Sequence, residues 1–220
     1  MSVTLEDVKS NPVIDSFIRK SNEYLGVIGY TEHGYRHVNM ISSISKNILE
    51  SLDCPTRYAE LAAVAGYIHD IGNVINRKDH GISGAIVAYP VLLEMGMPPD
   101  DIALVVSAIA NHEEPYGEAV NCVAAALIIA DKSDVHRSRV RNPDFATFDT
   151  HDRVNFAAEH AFLWVSEDKR AITMELTIDI DICTVMDYFE IFLTRMIMCR
   201  RAADYLKCKF ELVINGAKLI

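Results

Sequence analysis

The stretch AGYIHDIGN, Ala65–Asn73, sets a histidine beside an aspartate at the end of an apolar, helix-like run. Polar side chains placed where a core is being built need partners, because an unpaired buried charge is heavily penalised. Either His69 and Asp70 form a hydrogen-bonded structural pair, or they hold a metal. The dipeptide alone does not decide, since His151-Asp152 repeats it in the polar context FDTHDRVN. That second pair lacks comparable partners and reads as a solvated loop. The surroundings of Ala65–Asn73 therefore carry the decision.

From about Pro12 to about Val140 the chain reads as helix after helix. Leu5–Tyr24 is amphipathic until Gly26 and Gly29 interrupt it. From Tyr35, YRHVNMISSISKNILESL places His37, Ile41, Ile44 and Ile48 on one stripe at helical spacing. Pro55 opens a segment in which Ala59–His69 is a strong helix former that stops at Gly72. His80 starts another helix ending near Gly96, with a kink expected at Pro90. Pro98-Pro99-Asp100-Asp101 caps DIALVVSAIANH, and a turn at Pro115-Tyr116-Gly117 leads into EAVNCVAAALIIADKSD, whose Ala-rich middle reads as buried. After Pro143 the character changes. AFLWVSEDKRAITMELTID reads as a hairpin around Glu167–Arg170, followed by a long helix from about Ile182 to Leu206 and a last strand, KFELVI. The expected fold is mainly α: a helical domain over 1–142 with a small α+β appendage over 143–220.

At 220 residues the chain suits one domain plus such an appendage. Its formal charge of −10 argues against broad nucleic-acid binding, which needs phosphate-neutralising Lys and Arg. A small phosphorylated substrate stays open, because a local cation or metal overrides the global field. Five cysteines, without a CxxC pair, fit a reducing cytoplasm better than a disulfide framework. The N-terminal MSVTLEDVKSNPVIDSF does not read as a secretion signal, and no run approaches the ~18 apolar residues of a membrane span. A cytoplasmic protein without membrane partners is the expectation.

His37, His69, Asp70, His80, His112 and Asp131 each sit at a helix start, a helix end or on an apolar stripe. His37 shares its face with Ile41 and Ile44. Asp131 closes AALIIAD, where a bare carboxylate is expensive. A single such residue is usually a satisfied core group, but their joint occurrence on separate helices matches how bundles build metal sites. Imidazoles with carboxylates suit divalent transition metals.

The order His37, His69-Asp70, Asp131 resembles the HD-domain metal-dependent phosphohydrolase superfamily, defined by H…HD…D. HDIGN, then HGISGA at His80–Ala85, AIANHEEPYG at Ala108–Gly117 and IIADKSD at Ile129–Asp134 look like its symmetrical dinucleoside tetraphosphatase branch. The resemblance runs roughly over Tyr35–Arg141 and implies an HD-domain helical bundle. It also implies a dinuclear site in which Asp70 bridges, with His37, His69 and Asp131 on one metal and His80 and His112 on the other. Iron or manganese is expected, with nickel, zinc, cobalt or magnesium also accepted and one or two ions per chain. His33, one turn before His37, is a further candidate for the cleft. Where some relatives have HDIGK this chain has Asn73, so Arg77 and Lys78 become candidates for the lost phosphate contact.

The chemistry implied is attack on phosphorus by water activated at metal. Asp70, Lys132 and Arg137 are the candidate catalytic residues, and Lys132, Arg137, Arg77 and Asn73 the candidate substrate contacts. Arginine's planar fork matches phosphate oxygens. A phosphoester or phosphoanhydride of a small metabolite, nucleotide foremost, is the expected substrate. A di-iron oxygenase and a non-catalytic metal-containing sensor are the alternatives. The long, greasy Ile182–Leu206 helix and the hairpin suggest a weak homodimer or a cover for the cleft.

Overall fold

A computed structural model describes residues 2–220. The helices are α1 (Leu5–Lys9), α2 (Pro12–Val27), α3 (Tyr35–Ser51), α4 (Thr56–Ile68), α5 (His80–Glu94), α6 (Pro99–Ala110), α7 (Cys122–Ser133), α8 (Thr150–Ala157) and α9 (Val185–Tyr205). The strands are β1 (Ala158–Val165), β2 (Ala171–Ile178), β3 (Lys209–Ile214) and β4 (Ala217–Lys218). The fold is therefore mostly helical, with a small C-terminal sheet.

Helix α7 is the axle. It packs against α3, α4, α6 and α9, and every residue from Val123 to Ala130 is buried. Its alanines let neighbours approach closely, and its C-terminus delivers Asp131. Helix α4 lies hard against α3 because Gly66 has no side chain: a Cβ there would stand 2.9 Å from the Ile41 carbonyl and from the Ser42 backbone. The Ser42 hydroxyl also donates to the Ala63 carbonyl at 2.8 Å. This contact sets His37 on α3 beside His69 at the end of α4. Gly66→Ala should cost about 1–3 kcal/mol in urea unfolding, since neither backbone can yield without moving a helix. An unchanged midpoint would show the two helices to be looser than this.

A second close approach follows Asp70. The 3-10 turn Ile71–Val74 nests on the first turn of α5, where a Cβ on Gly72 would collide with the His80 carbonyl. Asp70 and His80 are thereby held together.

The sheet has order β1-β2-β3-β4. β1 and β2 form the expected hairpin, while β2 and β3 are parallel, because the long α9 supplies the crossover that parallel pairing requires. Ile172, Met174 and Leu176 of β2 and Phe210, Leu212 and Ile214 of β3 are buried, and β3 packs on α9. One buried apolar core runs from Val3 to Ile214 and crosses residue 142 without a break.

Several local expectations need correction. The amphipathic stretch Leu5–Tyr24 is two helices, separated where Asn11 caps α2 with Pro12 in its first turn, and α2 continues through Gly26 to Val27. Asp100 and Asp101 sit in the first turn of α6 without a side-chain cap. FDTHDRVN is not a solvated loop but the start of α8, capped by the Asp149 carboxylate and burying Val154, Asn155 and Ala157. A two-residue β4 follows Asn215-Gly216, both at positive φ, as a tight hairpin needs.

Candidate metal centre

All six residues singled out for metal binding converge. His37 comes from α3, His69 and Asp70 from the end of α4, His80 from the first position of α5, His112 from just past α6 and Asp131 from α7. The four imidazoles and Asp70 are buried, and the Asp131 side chain retains 14% exposure toward a cleft. His37 Nε2 lies 3.2 Å from His69 Nε2, 3.5 Å from Asp131 Oδ1 and 3.6 Å from Asp70 Oδ2. On the other side, His80 Nε2 lies 3.1 Å from His112 Nε2 and 3.2 Å from Asp70 Oδ1. The two Asp70 oxygens thus face different histidine pairs.

Hydrogen bonding fixes which ring nitrogen is free. His69 Nδ1 donates to the Gly66 carbonyl at 2.8 Å, His112 Nδ1 to the Ile109 carbonyl at 2.6 Å, and His80 Nδ1 to the Arg77 carbonyl at 2.9 Å. His37 Nδ1 donates to the Asp134 carboxylate at 2.6 Å. Carbonyls and carboxylates only accept, so each Nδ1 carries hydrogen. In the neutral rings every Nε2 is then a lone pair, and the lone pairs face one another across distances at which they repel. Asp70 Oδ2, buried and without a hydrogen-bond partner, faces the same space. Atoms bound to one ion at about 2.0–2.2 Å stand ~3–4 Å apart, as these do. The donor set fits a divalent metal, and three overlapping groups of residues are each close enough to hold one.

Electrostatics agree with that fit. Burial opposes charge on Asp70, but His69 and His80 outweigh it and hold the carboxyl well below its usual range. Burial likewise opposes a charged Asp131, outweighed by Lys132, His37 and His69. Burial disfavours protonated His69, yet Asp70 and Asp131 push its pKa up to about 10. Burial, reinforced by His69 and His80, depresses the pKa of His112. At pH 7 the metal-free pocket therefore keeps a proton on His69, which an entering metal must expel. Because that pKa lies above the ordinary 6.5, the proton's stabilisation of the metal-free fold is full below about pH 6.5 and lost as pH rises toward 10. Metal affinity should accordingly rise with pH, by up to about tenfold per unit for each proton released. Titrations with manganese at pH 6, 7 and 8 check this, and a flat profile would contradict it.

Beside the centre lies a cleft of about 800 Å³, within the range of small-ligand sites. Asp70, His80 and Asp131 form part of its wall, along with Tyr30, Lys132 and Asn155. His33 also lines it, its Nε2 3.1 Å from Arg139 Nη2. Arg77 lines the cleft and stacks on Tyr30, with its guanidinium 5.2 Å from the ring centroid. Lys132 lies at the cleft wall, 2.7 Å from Asp131 Oδ2 and 3.4 Å from Glu114.

Two expected substrate contacts do not line the cleft. Arg137 does not line the cleft: it bonds Glu159 at 3.0 Å and covers the Phe156 ring. Helix α7 ends at Ser133, and a separate 3-10 turn over Arg137–Arg139 sends Arg139 to the cleft instead. Asn73 is buried, and its amide donates at 2.9 Å to both the carbonyl and Oδ1 of Asp70. It orients the aspartate rather than facing the cleft.

Other residues escaped the sequence reading. Asp134, one helical turn after Asp131, accepts from His37, from Arg36 at 2.8 and 2.9 Å, and lies 3.4 Å from Arg139. Glu113 lies 3.0 Å from His80 Nδ1 and accepts from the Gly81 amide. Burial works against its charge, but His80 and that amide hold its pKa down to about 2. The spacing of Asp134 from Asp131 and the run His112-Glu113-Glu114 were the available signals. His151 and Asp152, set aside as solvated, line the cleft from α8.

Residues 34–191 match the HD domain family. The chain belongs to that family. HD domains bind divalent metals, and the histidine–aspartate groups here are able to hold one. The uncharacterized protein MJ1020 of Methanocaldococcus jannaschii is 23% identical over 160 residues, 63% of this chain and 61% of its own length. The chain thus spans about three fifths of that relative. A crystal structure of a predicted HD superfamily hydrolase from an uncultured Thermotogales bacterium aligns with TM-score 0.45 and 23% identity, over 56% of this chain and 67% of the other. Among the described residues no helix is long and apolar enough to cross a membrane.

Proposed function

We propose that this protein is a metal-dependent phosphohydrolase acting on a phosphoester or phosphoanhydride of a small metabolite, a nucleotide foremost. The observation that carries the reading is the convergence of four imidazole Nε2 atoms on Asp70 and Asp131, beside a cleft with Arg77, Lys132 and Arg139 in its wall. In this reading His37, His69 and Asp131 would hold one ion and His80 and His112 a second, with Asp70 able to serve both. Iron or manganese suits this set of nitrogen and oxygen donors. When bound, such metals supply Lewis acidity toward a phosphoryl oxygen and lower the pKa of water.

The chain's own residues do the rest. Backbone carbonyls behind His69, His80 and His112 engage the Nδ1 hydrogens and so aim the Nε2 atoms inward. Asn73 fixes the Asp70 carboxylate. Lys132, Arg77 and Arg139 meet the substrate's negative charge, and the burial around His69 and His112 keeps bulk water out. The likeness of HDIGN, HGISGA and IIADKSD to the symmetrical dinucleoside tetraphosphatase branch supports a dinucleotide or nucleotide substrate. A cytoplasmic setting, a weak homodimer, and residues 143–220 acting as an appendage that covers the cleft complete the proposal.

The test is turnover of a panel of phosphomonoesters, phosphodiesters and dinucleoside polyphosphates with manganese under argon. Release of phosphate or nucleotide without oxygen supports hydrolysis. A metal-loaded protein inert on the whole panel would overturn it.

A further inference from the structure

The HD family match ends at residue 191, four residues before an arginine that reaches the cleft. Arg195 stands on the inward side of α9, next to buried Phe192, Met196 and Cys199. Its guanidinium lies 4.4 Å from the Phe192 ring centroid, which fixes the plane of the fork. Nε is 2.8 Å from Glu114 Oε1, yet it is buried and without a hydrogen-bond partner, and neither terminal nitrogen has a hydrogen-bond partner among the described residues. Glu114 also lies 3.4 Å from Lys132, whose ammonium bonds Asp131. A stacked arginine with unused donors and a buried lysine therefore flank one carboxylate at the cleft wall, beside a candidate metal ligand.

We propose that Arg195 and Lys132 form an anion subsite in which α9 supplies a direct contact to a phosphate oxygen of the substrate. This rests on the phosphohydrolase reading for its place in the reaction, but not for the binding itself. Glu114 ion-pairs with both cations and gives up part of that interaction when phosphate enters. A guanidinium whose donors are otherwise unused gains two parallel hydrogen bonds to such a ligand. Part of substrate selection then lies on α9.

The experiment measures orthophosphate binding by calorimetry to manganese-loaded protein, with metal content determined in parallel. Arg195→Ala should weaken orthophosphate about tenfold, the loss of one charged hydrogen-bond pair, at unchanged metal content. Glu114→Gln should bind orthophosphate at least as tightly as wild type, because a competing carboxylate is gone. If Arg195 merely ties α9 to the loop after α6, the two variants weaken binding alike, or Arg195→Ala stays within about twofold of wild type. Either result overturns the subsite, as does loss of metal from Arg195→Ala. Should the alanine variant fail to fold, Arg195→Gln is read by the same criteria. Protein that binds orthophosphate through Arg195 but turns over no phosphate ester would sink the hydrolase reading and leave the subsite standing.

Discussion

Asp70→Ala is expected to strip the protein of bound metal and lower phosphate-ester turnover by at least about 10³-fold, some 4 kcal/mol of lost transition-state stabilisation. Asp70 faces both histidine pairs, with Oδ1 3.2 Å from His80 Nε2 and Oδ2 3.4 Å from His69 Nε2. Removing it takes a carboxylate oxygen from each half of the centre. It also removes the main charge that keeps His69 protonated in the metal-free pocket, so that pKa should fall from about 10. Elemental analysis and steady-state rates check the first effect, and histidine NMR titration the second. A variant that keeps its metal and most of its activity would show Asp70 to be a structural partner of His69, the alternative left open by the sequence.

Asp134→Ala should be the most damaging substitution outside the six converging residues. The carboxylate is buried and is shared by His37, Arg36 and Arg139, itself a buried cation. Its loss strands Arg139 and frees His37 to rotate or change tautomer. Breaking such a buried pair costs about 3–5 kcal/mol, and loss of a partner behind a metal-binding histidine typically costs ~10–100-fold in metal affinity. Burial raises the Asp134 pKa, but Arg139 and His37 outweigh it and hold it below the ordinary 3.8. The sign follows: stability from this carboxylate is complete above about pH 4 and lost as pH falls further. The deficit of Asp134→Ala should therefore stay constant between about pH 8 and pH 5 and narrow only in stronger acid. Chemical denaturation across that range, with a manganese titration at neutral pH, measures both.

The parts of this architecture that the sequence revealed are those governed by short-range regularity. The stripe of His37, Ile41 and Ile48 and the apolar run ending at His69-Asp70 announce helices with their polar ends inward, and the structure has them. Convergence of those ends depends on two glycines at helix contacts, Gly66 and Gly72, whose role no periodicity exposes. The misreadings share a cause. Helix α8 was missed because its eight residues, THDRVNFA, hold few apolar side chains and are helical through the Asp149 cap and the burial of Val154 and Ala157. Which of the clustered cations Arg137, Arg139 and Arg141 turns toward the cleft depends on the backbone after α7. The chain breaks at Asp134 and re-forms as a tighter 3-10 turn, which points alternate residues elsewhere. Arg195 and Glu114 come together from positions 81 apart, a pairing that a single chain read end to end cannot show.

The most direct test of the central claim is a count of ions. Protein loaded with manganese and freed of excess should retain two per chain, and His80→Ala or His112→Ala should retain one, while His37→Ala and Asp131→Ala lose the other. Wild-type protein that retains no divalent ion, or a count indifferent to these four substitutions, would mean that the converging imidazoles are only a polar core.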